Sequence, residues 1–352
     1  MKRLEDGADD DPLAGWEFEL PDTLIAKTPP LERDGGRLLV VGDTLQDRQI
    51  RDLPALFRAG DLLVLNDVRV RKARLRAKRR SGGAVEVLVL RAGDATPAGD
   101  VGEALVRPAR KLRMGELLRC GSGSIEVLAL SGEGRAQLRF SPSLSTLEAE
   151  AGEMPLPPYL DRPAHAEDER RYQTVYAVPG RLQAAAAPTA GLHLSEQLLV
   201  ELSAMGVQRA QVTLEVGLGT FRPLTAEMLA SGRLHPERYA VPEATWTAVE
   251  TARRDGRRVV AVGTTVVRTL ESAIGPGPGE TDILLVPGWR PRRVDALLTN
   301  FHLPRSSLLM LVGAFAGQAR VLAAYRHAVE ARYRFFSYGD ACFFPAPSGV
   351  TG

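Results

Sequence analysis

The sequence predicts an α/β protein: a layered α/β/α sandwich interrupted by an inserted small antiparallel β-barrel domain. Three observations predict this. From Gln183 onward, short apolar runs alternate with helical stretches, the pattern of strands joined by crossover helices. From about Arg69 to Leu147 the pattern changes to period two, in short runs separated by glycine, as in a small barrel or sandwich. An apolar strand pattern also precedes that segment, so the β-rich part reads as an insertion within the α/β domain. The expected division is a disordered acidic head at 1–15, an α/β domain at 16–68 and 154–352, and the barrel at 69–153.

The opening "MKRLEDGADDDPLAG" is acidic and has no apolar core, so it is not a signal peptide. A loop then runs into a strand at Arg37–Val41. "LPALFRAGDLLVLNDV" gives a short helix and a buried strand over 62–65. "GGAVEVLVLR", "GEALVRP", "GELLRC", "GSIEVLAL" and "GRAQLRF" are the barrel strands. The proline-rich "MPLPPYLDRP" carries the chain back. "SEQLLVELSAMG" is a helix with Ser195 as N-cap and Gly206 at its end. Next come the strand "AQVTLEVG", the helix "VPEATWTAVETARRDG", the strand "RRVVAVG" and the helix "TTVVRTLESA". The strands "TDILLVPG" and "VDALLTNF" follow, and two helices, "RSSLLMLVGAFAG" and "RVLAAYRHAVEARYRF", close the pattern.

Of the 352 residues, 44% are hydrophobic and 25% charged, ordinary for a soluble globular protein with a sizeable core. The net charge of +2, from 45 basic and 43 acidic residues, does not argue for nucleic acid; only the placement of charge can. Cys120 and Cys342 lack metal-ligand spacing and read as buried thiols in a reducing cytosol. No run of about eighteen apolar residues predicts a membrane span. The five histidines show no zinc spacing, and no G-x-S-x-G elbow is present, so neither a metal nor a serine nucleophile is expected.

Ligands of open α/β sheets bind beyond the carboxyl ends of the strands. The segments at those exits are "VGLGTFRP", "GTTVVRTLE" and "NFHLPRSS", with "APTAGLH" before the Ser195 helix. Together they form a polar rim over an apolar sheet. "VGLGTFRP" is no dinucleotide fingerprint, because Pro223 replaces the third glycine. Gly217 and Gly219 either let backbone approach a ligand, with Thr220 and Arg222 facing it, or form a bulged strand end with Arg222 in solvent. In "GTTVVRTLE", Gly263 leaves a strand, Thr264 or Thr265 caps the next helix, and free amides there attract an anion. Arg268 pairs with Glu271 at i,i+3. The alternative is a plain capped helix with a surface ion pair. "NFHLPRSS" supplies Asn300, Phe301 and His302, and His193 and His235 stand in similar places. The stretch "RVRKARLRAKRR" carries eight cations in twelve residues. It reads either as an RNA-backbone grip or as a charged edge strand. Arg107, Arg110, Lys111 and Arg113, and "RPRR" from Arg290, add to it.

Read in order, "YQTVYA", "APTAGLH", "VGLGTFRP", "AVGTTVVRTLES", "LLTNFHLPRSSLLMLVGAFAG" and "RYRFFSYGDA" resemble the S-adenosylmethionine:tRNA ribosyltransferase-isomerases of queuosine biosynthesis. "ELPDTLIAKTP" and "GDLLVLNDVRV" match as well, so the resemblance runs from about Trp16 to Phe344. It implies transfer and isomerisation of the ribosyl unit of S-adenosylmethionine onto 7-aminomethyl-7-deazaguanine at the wobble position of tRNA. The products are epoxyqueuosine-tRNA, adenine and methionine. It implies S-adenosylmethionine as co-substrate, tRNA as partner, no prosthetic group, no membrane, and a cytoplasmic monomer.

Mapped onto this chain, His193 and His302, with Glu215 as an alternative, are candidates for proton transfer. Thr189, Gly191, Gly217, Gly219, Thr220, Arg222, Gly263, Thr264, Thr265, Arg268, Asn300 and Phe301 are candidates for substrate binding. Arg268 with the amides of 263–265 is expected on the methionine carboxylate, and Phe301 or Phe221 on adenine. Arg69, Arg71, Lys72, Arg74 and Arg76 are candidates for RNA. The chain departs from the family pattern in places: Glu215 replaces a usual histidine, Lys72 a proline and Val266 a serine, while "LHPE" keeps His235 and Glu237. Two competing readings are an S-adenosylmethionine-dependent RNA methyltransferase and a non-catalytic RNA-binding protein. The first lacks its glycine-rich loop; the second predicts no binding of S-adenosylmethionine.

Overall fold

Buried on both faces, the strand Leu62–Asn66 is apolar in four of its five residues, and it lies next to the central strand of a nine-stranded sheet. The computed structural model describes residues 11, 13–97, 99–179, 183–217 and 224–345. In chain order the first strands are β1 (Arg37–Val41), β2 (Leu45–Gln49), β3 (Leu62–Asn66) and β4 (Arg69–Val70). The barrel strands are β5 (Arg74–Arg79), β6 (Ala84–Thr96), β7 (Gly99–Arg107), β8 (Leu117–Cys120), β9 (Gly123–Leu130) and β10 (Arg135–Ser141). Then come α1 (Leu144–Ala151), β11 (Gly152–Glu153), α2 (Ala166–Arg171), β12 (Gln183–Ala184), α3 (Glu196–Ala204) and β13 (Gln208–Leu214). Next are α4 (Ala226–Ser231), β14 (Arg233–Val241), α5 (Glu243–Arg254), β15 (Val259–Val262), α6 (Thr264–Ser272) and β16 (Gly277–Ile283). The last are β17 (Ala296–Asn300), α7 (Ser307–Ala316), α8 (Gln318–Glu330) and β18 (Ala341–Phe344).

The large sheet has the order β16-β14-β13-β3-β15-β17-β18-β1-β2. Its centre, β13-β3-β15-β17, is parallel, so four carboxyl ends share one rim. Antiparallel strands flank it on both sides. Alternate residues divide between two cores, as strand pleating requires. Leu62, Val64, Val259, Ala261 and Leu297 meet α5 to α8 on one face. Leu63, Leu65, Val260, Val262 and Leu298 meet α3 and the short helix Ile50–Leu56 on the other. This is the α/β/α layering read from the sequence.

The barrel closes because β5 pairs with β6 on one side and, through Lys78↔Arg119 and Arg79↔Leu118, with β8 on the other. Its inward residues follow period two, with Leu75, Ala77, Val85, Val87, Val89, Leu138 and Phe140 all buried. The chain enters the barrel from the carboxyl end of β3 and returns through β12, which pairs in parallel with β4. An insertion that leaves from a carboxyl end sits above the same rim that gathers the strand exits. That connectivity is what creates a cleft.

Some expectations are corrected. The acidic head was expected to reach residue 15, but Leu13 is buried and Ala14–Trp16 forms a short helical turn. Trp16 packs on Gly313, where a Cβ would lie 2.3 Å from its ring. Residues 1–10 lie outside the described residues. The strand expected in "TDILLVPG" begins earlier, at Gly277, and ends at Ile283. The basic stretch is not one strand but β4 and β5, joined through Arg71 and Lys72. No single described helix is long and apolar enough to cross a membrane.

Candidate active site

Two adjoining lobes, which share Val216 and Leu308, form a cleft on the rim. The first lobe, about 460 Å³, is built from strand exits. The end of β15 contributes Gly263 and the first residues of α6, Thr264 and Thr265. The end of β17 contributes Thr299, Asn300, Phe301 and His302. Thr189 comes from the helical turn Thr189–His193, and Tyr159 and Phe336 from two loops. The second lobe, about 440 Å³, faces the barrel: Arg91, Glu103, Leu105 and Arg135 stand opposite Glu215, Gly217, Glu237 and Arg268. Both volumes lie in the range of small-molecule sites.

Of the expected residues, Thr189, Gly263, Thr264, Thr265, Asn300, Phe301 and His302 meet in the first lobe, and Glu215, Gly217 and Arg268 in the second. Gly219, Thr220, Phe221 and Arg222 lie outside the described residues. Gly263 has φ +92, a conformation that favours glycine, and it starts α6 without a side-chain cap. The expectation that Thr264 or Thr265 caps this helix is therefore corrected: Thr264 is already its first residue. The Oγ1 of Thr265 is buried with no partner among the described residues.

The predicted Arg268–Glu271 pair does not form. Glu271 instead receives the backbone N–H groups of Arg292, Arg293 (2.8 Å) and Val294 (3.2 Å), anchoring the segment before β17. Arg268 turns to Glu237, whose other oxygen accepts the N–H of Gly217 at 2.8 Å. Arg268 is buried, and its Nε and Nη2 have no partner among the described residues. Such orphan donors cost free energy until a ligand engages them.

The three candidates for proton transfer have different settings. Glu215 is forked by Arg238 at 2.7 and 3.1 Å, so its carboxylate is already occupied. His193 lines neither lobe. It lies behind Asn300, with Nε2 3.0 Å from Asn300 Nδ2, and burial, aided by Arg33 and Arg334, lowers its pKa to about 4. His302 lines the first lobe, with Nε2 2.9 Å from Thr299 Oγ1. Burial lowers its pKa to about 3, so the ring is neutral at physiological pH. Its Nδ1 has no hydrogen-bond partner among the described residues.

Gly191 lines neither lobe. A Cβ there would lie 1.9 Å from Tyr176 Oη, so glycine serves close packing. Phe301 is fully buried among Tyr325, Tyr333 and Phe335, and its ring is unavailable for stacking on a ligand. Among the described residues, the accessible aromatics of the first lobe are two that the sequence reading missed. Tyr159 and Phe336 stack with centroids 4.0 Å apart on the wall of the first lobe. Phe336 holds φ +73, an uncommon conformation for a bulky residue. Asn300 Nδ2 donates to its carbonyl at 3.0 Å, and Tyr159 Oη bonds Ser337. His193 and Asn300 thus brace this wall. The only sequence signal was the aromatic density of "RYRFFSYGDA".

The expected RNA grip is largely neutralised. Arg71 is buried against Glu148 at 2.9 Å, and Lys72 pairs with Glu169 at 2.7 Å. Arg74 donates to the carbonyl of Leu156, and Arg76 lies between Glu86 (3.0 Å) and Glu153 (3.3 Å). Of the five, Arg69 alone is exposed with no acid within ion-pair distance among the described residues.

Comparison with known proteins bears on this cleft. The family model described as "Queuosine biosynthesis protein" matches residues 13–344. An S-adenosylmethionine:tRNA ribosyltransferase-isomerase of Dechloromonas aromatica is 47% identical over 343 residues, covering 93% of this chain and 94% of the relative. One from Azoarcus sp. is 49% identical over 341 residues, covering 94% and 96%. The crystal structure of an S-adenosylmethionine tRNA ribosyltransferase from Thermotoga maritima superposes with a TM-score of 0.54 at 35% identity, covering 94% of this chain and all of that one. The chain belongs to the S-adenosylmethionine:tRNA ribosyltransferase-isomerase family of queuosine biosynthesis.

Proposed function

We propose that this chain carries out the reaction for which its relatives are named, with S-adenosylmethionine lying across the two lobes. The acceptor is the 7-aminomethyl-7-deazaguanine at the wobble position of tRNA, and the product is epoxyqueuosine-tRNA. The observation that carries this reading is the pairing of unlike lobes: orphaned guanidinium donors of Arg268 in one, and a neutral imidazole beside a stacked aromatic wall in the other. A nucleoside joined to a zwitterionic amino acid has the same division of chemistry.

In this reading Arg268 Nε and Nη2 receive the methionine carboxylate. The purine stacks on Phe336, which takes the role expected of Phe301. The sulfonium acidifies the adjacent C5′ hydrogen, and His302 Nδ1, neutral and unpaired among the described residues, accepts that proton. Thr265 Oγ1, a buried hydroxyl without a partner among the described residues, is placed to hydrogen-bond the departing adenine. His193 and Asn300 act as positioning residues for the wall. Residues 16–68 and 154–352 form the catalytic unit and 69–153 the inserted one, in a cytoplasmic monomer. Two buried free thiols suit a reducing compartment.

The test is incubation with S-adenosylmethionine and tRNA carrying the aminomethyl-deazaguanine, followed by nucleoside mass spectrometry. The expected product gains an epoxycyclopentane unit while adenine and methionine are released. A methyl group on the base instead, or no binding of S-adenosylmethionine by calorimetry, refutes the proposal.

A further inference from the structure

The cleft does not end at its barrel-facing lobe. Leu105 also lines a wide, shallow groove over one end of the barrel, with Arg107, Pro108, Arg110, Glu133 and Gly134. At the strand rise of roughly 3.3 Å per residue, Arg107 lies about 7 Å beyond Leu105 along β7. Three connections meet at this end: the β5–β6 turn, the segment 108–116 and the β9–β10 turn. Together with the last residue of β7 they carry five exposed cations: Arg80, Arg107, Arg110, Lys111 and Arg113.

These five differ from the row on β4 and β5. None makes an ion pair through its charged side-chain nitrogens among the described residues; Arg113 meets Glu116 only through its backbone N–H at 3.1 Å. Glu86, opposite Arg107 in the ladder, is held by Arg76 at 3.0 Å. Glu116, beside Arg113, is held by Arg79 at 2.6 Å. Cationic side chains that form no ion pair among the described residues, next to a groove that shares Leu105 with the cleft, have the electrostatic footprint of a nucleic-acid backbone.

We propose that this basic end of the barrel, and not the Arg69–Arg76 row, is the tRNA docking surface, and that it holds phosphates flanking the base seated in the cleft. The inference rests on the function proposed above. The experiment compares wild type with Arg107→Glu/Arg110→Glu and with Lys72→Ala/Arg76→Ala, measuring affinity for tRNA carrying the target base at several salt concentrations. The Arg107/Arg110 variant is expected to bind about tenfold or more weakly, and its salt slope to fall by about one for each phosphate no longer held. Its KM for tRNA rises, while kcat at saturating tRNA and binding of S-adenosylmethionine stay as in wild type. The Lys72/Arg76 variant is expected to bind tRNA like wild type. An unchanged affinity and salt slope in the Arg107/Arg110 variant, or an equal loss in the Lys72/Arg76 variant, overturns the docking surface and leaves the proposed reaction standing. Absence of tRNA binding by wild type overturns both.

Discussion

Acidification is expected to destabilise the fold through two buried imidazoles. In the folded chain, burial lowers His302 to about 3 and His193 to about 4, against about 6.5 for an unperturbed histidine. Below pH 6.5 the unfolded chain takes up protons that the folded chain refuses, so stability falls as pH falls. Between pH 7.5 and 5.0 both rings stay neutral when folded. Each then contributes a loss of about 2 kcal/mol, or about 4 kcal/mol together, from 1.36 kcal/mol for each pH unit below the unfolded-chain pKa of about 6.5. That is a large part of the 5–15 kcal/mol typical of a native protein. The assay is urea unfolding at pH 7.5 and 5.0 for wild type, His193→Gln and His302→Gln. Each variant should lose about 2 kcal/mol less than wild type over that interval. An unchanged pH dependence in either variant would refute the reasoning for that ring. The same state predicts no acid limb near 6.5 in kcat/KM from His302.

Three further outcomes follow from the cleft. Phe336→Gly relieves the φ +73 backbone but removes a half-buried ring packed on the core and on Tyr159, so a net loss of about 1–3 kcal/mol is expected. It should still raise the KM for S-adenosylmethionine about tenfold as stacking is removed, with Phe336→Tyr near wild type; steady-state kinetics and thermal melts check both. Glu237→Gln keeps an acceptor for Gly217 but leaves the Arg268 charge uncompensated, at a cost of about 3 kcal/mol. Saturating S-adenosylmethionine should then raise the melting temperature by more than it does in wild type. Gly191→Ala places a Cβ on Tyr176, so chemical denaturation should show a loss of about 1–3 kcal/mol.

The sequence by itself determined the layers and the rim. Continuous apolar runs such as 62–65 and 259–262, bounded by turn residues, read as strands buried on both faces, and glycine-punctuated alternation as a small antiparallel barrel or sandwich. The rule that ligands sit beyond carboxyl ends then gathered Thr189, Gly263, Arg268, Asn300 and His302 without coordinates. Tertiary structure decided who faces whom. Arg268 is three residues from Glu271, yet it pairs with Glu237 from a neighbouring strand, because α6 turns that face toward β14. Phe301 and Phe336 are alike as letters, but one is sealed in the core and the other stacks on Tyr159, brought in by a distant loop. The eight-cation stretch looked like the RNA grip because the sequence does not say which acids fold against it. Charge is local in sequence, but its neutralisation is a long-range contact, and that is why the barrel end emerges only once the chain has folded.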